Sequence, residues 1–504
     1  MNGLALHRVS FPLAPPNRPA VIPPTRPPPP PQRRVVAAVG PGWSAVPAGA
    51  AANSALEGGH LYPPEIETFA RDERRLFQTG ERMATYTVPK GTRYIYPGVR
   101  RPGVTKRREI AAMVRRALDH PVGDVPLKEK FRRLAHTKGK DARIVMAFDD
   151  VSVPLPPYRA GHDVRQAILE AAEADAMEAG LTPEQITFVC SIALHRFIRP
   201  DEFRHICGPR LFGRYHPHGR MINFNAVDLE HSVLLGETPH QEPVRVCKEF
   251  AEADLTVYAN CNYVAMDGGF KSFSTGLVHY ESLKVNHDCA TLKDTKSLYD
   301  PERSALHKSF ARIGKVIKSQ CDIFHVETVV DDATFPWFLE WVTKPARLWS
   351  LLDKVLCFVN TLVLRFLPHG LRTWIFWSPL VRGPFGLLHV SAGDTEAVHK
   401  ATLELNYRDK VVDVPSQCDV LVVGPSCIGP YTKDYAMNPL LVNTYRRERG
   451  RQPALPAYTP PPLPPPSTSP SPSPLLPPQP RLLVQPVRRW CPLAQKGRRD
   501  RRRQ

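Results

Sequence analysis

Apolar and polar positions follow two distinct rhythms along the middle of the chain. Short β-branched and apolar runs at 142–148 (ARIVMAF), 186–194 (ITFVCSIAL), 255–259 (LTVYA) and 420–423 (VLVV) have the length and composition of buried strands. Residues 164–179 (VRQAILEAAEADAMEA) read as a helix, with Asp163 as its N-cap and Gly180 as its stop. Another helix opens at 201–206, after Pro200. Strand, helix, strand in that order implies parallel pairing through right-handed crossovers, hence an α/β fold with its sheet covered on both faces. Ligands bind outside the carboxyl ends of the strands of such sheets. Three of the runs end in residues able to do chemistry, Asp149/Asp150, His195 and Asn260/Asn262, which predicts a shared cleft.

Residues 348–367 (LWSLLDKVLCFVNTLVLRFL) approach a membrane-spanning length, but Asp353, Lys354 and Arg365 fall inside. Each such charge costs about 2.5–3.5 kcal/mol near the bilayer centre. The apolar residues recur at helical spacing, so a buried or interfacial helix is expected, followed by a second at 371–377 and with no membrane partner.

Composition changes the picture at the ends. Of 55 prolines, 26 lie in residues 1–40 and 451–490, and residues 1–40 and 481–504 supply 13 of the 18 net positive charges. Residues 1–61 and 445–504 are expected to be disordered Pro/Arg-rich tails, since such segments cannot bury enough apolar surface to order themselves. A solvated tail, a PxxP ligand and out-of-frame translation of GC-rich DNA would each produce such a run. The middle is nearly balanced in charge, which excludes a basic nucleic-acid-binding core. About 380 residues remain, room for two α/β domains with largely parallel sheets and an active-site cleft between them. They are expected at 62–300, carrying the site, and at 301–444, with a helical insertion. The ten cysteines are scattered without a CxxC pair, and no secretory leader is evident, so a cytoplasmic protein with free thiols is expected.

The richest segment is 267–287 (DGGFKSFSTGLVHYESLKVNH). Gly268 and Gly269 would let a ligand approach the backbone before Lys271, and a helix after them would offer N–H groups to a phosphate. Lys271 is a candidate phosphate ligand or amine nucleophile, and His287 a candidate nitrogen ligand for nickel, zinc or copper. A Gly-Gly-x-Lys is otherwise an ordinary turn with a solvated lysine, and a histidine an ordinary core residue. His216-Pro217-His218 reads as an exposed turn; Glu327, Asp331 and Asp332 are candidate ligands for a divalent cation, but a strand edge followed by a turn is the preferred reading. His279 and His307 are candidate bases without an assigned place.

Three phrases carry a family likeness: 148–157 (FDDVSVPLPP), 193–208 (ALHRFIRPDEFRHICG) and 262–288 (NYVAMDGGFKSFSTGLVHYESLKVNHD). In this order they resemble the nickel-dependent lactate racemase family, over roughly residues 65–445. The resemblance implies a racemase or epimerase of a 2-hydroxy acid that works by hydride transfer through a nickel-pincer nucleotide. Lys271 would anchor that nucleotide through a thioamide, His287 would complete the square-planar nickel, and His195 would be one of two acid/bases. Asp149, Asp150, Gly268 and Gly269 would lie against the cofactor. Small-molecule hydroxy acids and the cofactor's biosynthetic enzymes would be the partners.

The chain departs from that pattern at three places. Cys261 stands near the expected second histidine, Ser152 or Val153 where an arginine would bind the substrate carboxylate, and 424–441 (GPSCIGPYTKDYAMNPLL) lacks the expected Gln and Lys. A serine does not replace a bidentate guanidinium, so a substrate other than lactate is expected. A degenerate relative that binds only nucleotide or partner, and a tail-mediated polyanion binder, are the alternative readings.

Overall fold

The computed structural model describes residues 60–79, 82–96, 98–100, 103–150, 163–263, 265–295, 301–331, 335, 337–368, 370–371 and 386–410. The proline-rich tails, the run at 420–423, the helix expected at 371–377 apart from its first residue, Ser152, Val153, Asp332 and the segment 424–441 lie outside these residues. Strand pairing begins slightly earlier than the expected tail boundary, at His60–Tyr62 against Val99–Arg100.

A six-stranded sheet organises the rest. Its strands are β1 (Ile144–Asp149), β2 (Ile186–Ser191), β3 (Met221–Asn223), β4 (Leu255–Asn262), β5 (Ile323–Val330) and β6 (Leu387–Gly393). Their spatial order is β6-β5-β4-β1-β2-β3, and every pairing is parallel except β5 with β6. The α/β class expected from the alternating pattern is what the chain adopts. Strands β5 and β6 follow residue 300 yet complete the same sheet, so the boundary expected there falls inside it.

Successive residues of β1 feed two cores, as strand geometry requires. Ile144, Met146 and Phe148 pack with helices α1 (Arg107–Asp119), α2 (Leu127–Lys138), α3 (Val164–Glu178) and α4 (Pro200–Tyr215). Val145 and Ala147 pack on the other face with α5 (Phe270–Gly276) and α7 (Ala305–Lys318); α6 (Tyr280–Lys284) lies between these two helices in the chain. Helix α1 buries Ile110, Met113, Val114, Ala117 and Leu118, the spacing of one helical stripe. Helix α3 is buried on several sides, and its charges are matched: Asp175 by Arg115, Glu173 by Arg210 and Arg214. Asp163 caps it by accepting from Arg165 N–H at 2.8 Å. The free edge of β6 is covered, because Val104 and Leu387 exchange N–H···O bonds and Val122 donates to Ala392.

Ser350 and Asp353 form a reciprocal cap for α8 (Leu351–Phe366), and α9 (Thr395–Lys410) follows β6. Asp353 and Cys357 of α8 face inward, while Leu351, Val355, Phe358, Leu362 and Phe366 stay exposed. The buried reading of this helix therefore holds for one side only. Among the described residues no helix is long and apolar enough to cross a membrane. The seven cysteines in this part of the chain are free thiols.

Candidate active site

Parallel pairing puts the carboxyl ends of β1, β2 and β4 at one pole of the sheet. Asp150 follows β1 and is buried. Its Oδ2 lies 2.8 Å from Nδ1 of His195, whose side chain is 40% exposed. A tight turn after β2 presents that histidine: Ala193 takes a left-handed φ of 50°, and His195 N–H donates to the Ile192 carbonyl. The buried Arg165 guanidinium donates to the main-chain oxygens of Asp149 and Asp150, which fixes the strand end. The carboxylate contact at Nδ1 orients the imidazole ring.

Lys271 sits on α5, after the glycine turn. Gly268 (φ 89°) and Gly269 (φ 60°) both occupy the left-handed half of conformational space. A Cβ at Gly268 would lie 2.6 Å from the Asn262 amide, and one at Gly269 would lie 2.6 Å from the His399 ring. The space the glycines leave thus holds protein side chains. The Gly269 N–H is also taken, donating to Oε1 of Glu327 at 2.6 Å. The N–H expected to await a phosphate here already serves an internal carboxylate. Lys271 Nζ donates to Asp267 Oδ1 at 2.9 Å, and the Tyr263 N–H holds the other oxygen of Asp267. His307 packs nearby with Nε2 3.2 Å from the Met266 carbonyl oxygen. Burial, and then the charge of Lys271, lower the His307 pKa to about 4, so this candidate base is neutral and ill-placed to take a proton near pH 7.

His287 follows α6. Its Nδ1 is 3.1 Å from the Leu283 carbonyl oxygen and 2.6 Å from Asn286 Oδ1, two acceptors that make Nδ1 the protonated nitrogen. Nε2 then carries the lone pair, the arrangement found in metal-bound histidines. Protein packed around the ring lowers its pKa; the Leu283 carbonyl opposes this, and the His195 imidazole adds to it, which puts the two histidines within electrostatic reach. Among the described residues no group of three His, Cys, Asp or Glu side chains is arranged to hold a metal by itself. His279 is not part of this arrangement: its Nδ1 accepts from the Glu281 N–H and caps α6.

Residues 82–299 match the family model of the lactate racemase N-terminal domain. That segment is similar to a lactate racemase N-terminal domain. Among solved structures, the lactate racemase apoprotein of Thermoanaerobacterium thermosaccharolyticum is similar at 15% identity and a TM-score of 0.42, over 66% of this chain and 62% of that one. A Thermotoga maritima protein is similar at 17% identity and a TM-score of 0.32, over 42% of this chain and 53% of that one. The chain thus spans less than two thirds of either structure's length. No curated protein matches it.

The segment that matches the family model contains Asp149, Asp150, His195, Gly268, Gly269, Lys271 and His287. Cys261 is buried in the main core, and its N–H donates to Asp149. Asp149 also accepts from Asn260 Nδ2 at 2.5 Å and lies 3.1 Å from the Tyr258 hydroxyl. Burial raises its pKa to about 6, against the Cys261 N–H, the Asn260 amide and Arg165, and with help from Asp267. His216-Pro217-His218 forms a short exposed turn. Glu327 is neither an edge residue nor a surface ligand: it lies inside β5, fully buried, and is reached by Gly269, Asn262, His399 and Thr402. A glutamate two residues after a histidine in an otherwise apolar strand (IFHVETVV) was the available signal for it.

Proposed function

We propose that the chain is a racemase or epimerase of a 2-hydroxy acid other than lactate, working by hydride transfer through a nickel-pincer nucleotide. The observation that carries this reading is the His195–Asp150 pair, 2.8 Å apart at a strand end, in the segment that is similar to the lactate racemase N-terminal domain. His195 Nε2 would take the proton from the substrate's 2-hydroxyl, while the buried Asp150 carboxylate holds the ring and stabilises its charged form. Asp150 thus serves the base, and Asp149 stands behind it at the same strand end. His287 would offer Nε2 to the nickel. Lys271 would hold the nucleotide covalently through its amine, and Asp267 Oδ1, 2.9 Å from Nζ, would orient that amine. When bound, the nucleotide supplies the hydride acceptor. The donors fit such a group at His287 and Lys271, whereas the glycine turn gives its phosphate no free N–H at Gly269. The setting would be cytoplasmic, with the cofactor's biosynthetic enzymes as partners.

The test is co-expression with the cofactor pathway, followed by intact mass, nickel content and turnover of a hydroxy-acid panel. The expected result is a covalent mass increase on Lys271, lost in Lys271→Arg, and turnover lost in His195→Gln with the mass increase kept. An unmodified protein in cells where a control racemase is modified would overturn this. It would favour a second reading, a member that binds without catalysis, which the burial of Cys261 supports because no second histidine stands there.

A further inference from the structure

We propose that Glu327 is a positioning residue: its carboxylate fixes the turn that presents Lys271 and ties that turn to α9. The inference goes beyond the catalytic reading and holds whatever Lys271 carries. Glu327 lies in β5 with no exposed surface. Its Oε1 accepts from Gly269 N–H at 2.6 Å. Its Oε2 accepts from Asn262 Nδ2 at 2.9 Å and from the Thr402 hydroxyl, and lies 3.4 Å from His399 Nδ1. His325 Nε2 is 3.7 Å from Oε1. One side chain therefore joins the end of β4, the glycine turn and α9.

The chemistry of the partners selects a carboxylate. Gly269, Asn262 and Thr402 all donate, and an ionised carboxylate offers acceptors on both oxygens. A glutamine in the same place would turn an NH2 group toward one set of these donors and leave them unmatched. The turn itself has little slack, since a Cβ on Gly268 would meet Oε2 of Glu327 at 2.7 Å and one on Gly269 would meet His399. Asp267 and Lys271 stand on either side of this turn and pair across it. Holding Gly269 therefore holds the pair. Burial would raise the Glu327 pKa, but His399, His325 and the Thr402 hydroxyl outweigh it and keep the group ionised, at about 2.

The experiment is trace labelling of the purified full chain with an acetylating reagent, with peptide mapping of Lys271 against Lys130. Lys130 pairs with Asp124 and Asp322, away from the turn, and serves as the internal reference. In Glu327→Gln the Lys271/Lys130 labelling ratio is expected to rise at least fivefold as the turn that holds Lys271 against Asp267 loosens. General loosening of the fold would move Lys130 as well. Thr402→Val, which removes one donor to the same oxygen, is expected to raise the ratio about twofold and covers the case in which Glu327→Gln fails to fold. A ratio unchanged in a folded Glu327→Gln, or in Thr402→Val when the first variant does not fold, overturns the proposal.

Discussion

Asp149 ends β1 and Glu327 lies within β5, with β4 between them. The two carboxylates are served almost alike. Each accepts one main-chain N–H and one asparagine amide, and each has a hydroxyl within hydrogen-bond distance: Cys261, Asn260 and Tyr258 for the first, Gly269, Asn262 and Thr402 for the second. Yet burial wins at Asp149, raising it to about 6, and loses at Glu327, which is held at about 2. The difference lies in the charges behind the hydrogen bonds. Glu327 faces the imidazoles of His399 and His325, while Asp149 faces another acid, Asp267, against a single guanidinium at Arg165. Equal donors do not give equal acids when the surrounding field differs.

The largest expected effect tests Glu327. Glu327→Ala strands several buried donors and should lower the unfolding free energy by about 3–5 kcal/mol in denaturant titrations. A loss below about 1 kcal/mol would mean that the network relaxes onto water or other acceptors.

The next effect is on pH. Asp149 is raised above its ordinary 3.8, so the folded state binds the proton more tightly. Its contribution to stability is present below about pH 4 and is lost as pH rises through about 6, on the order of 3 kcal/mol in all. Glu327 is depressed from 4.5. Its contribution is present above that value and is lost as pH falls toward 2. Urea midpoints measured from pH 4 to 7 should therefore fall in the parent protein more steeply than in Asp149→Asn. Equal slopes in the two proteins would remove Asp149 as the source.

Gly269→Ala should cost about 1–3 kcal/mol through its left-handed backbone and the crowding of His399. Thermal unfolding would measure it, and a neutral result would show that the histidine can step aside. The smallest change is Thr402→Val, about 1 kcal/mol, the net value of one hydrogen bond. A cost equal to that of Glu327→Ala would instead make the hydroxyl the centre of the network.

Much of this architecture could be read from the residues in order. The apolar runs, the Asp163 cap and the polar strand ends led to an α/β sheet and to one pole of it, where Asp150 meets His195. What stayed hidden depends on pairing across distance. Nothing local to the helical run 164–179 marks Arg165 as buried, yet its guanidinium donates to two main-chain oxygens and to Asp163, away from solvent. Gly268 and Gly269 read as an opening for a ligand, whereas β5 and α9, over fifty residues away in the chain, fill it. Helix α8 has a clear apolar stripe, and periodicity alone could not say that much of it stays exposed.

The strand order also bears on how the chain emerges from a ribosome. β1, β2 and β3 can pair as soon as about 225 residues are made, but the inner neighbour of β1 is β4, which follows more than a hundred residues after β1. At about 5–20 residues per second, β1 waits on the order of ten seconds with one apolar edge open. β4 in turn waits for β5. Growing chains that stop between residues 225 and 330 therefore carry a template for strand addition by other molecules, and chaperone demand during synthesis should peak in that interval.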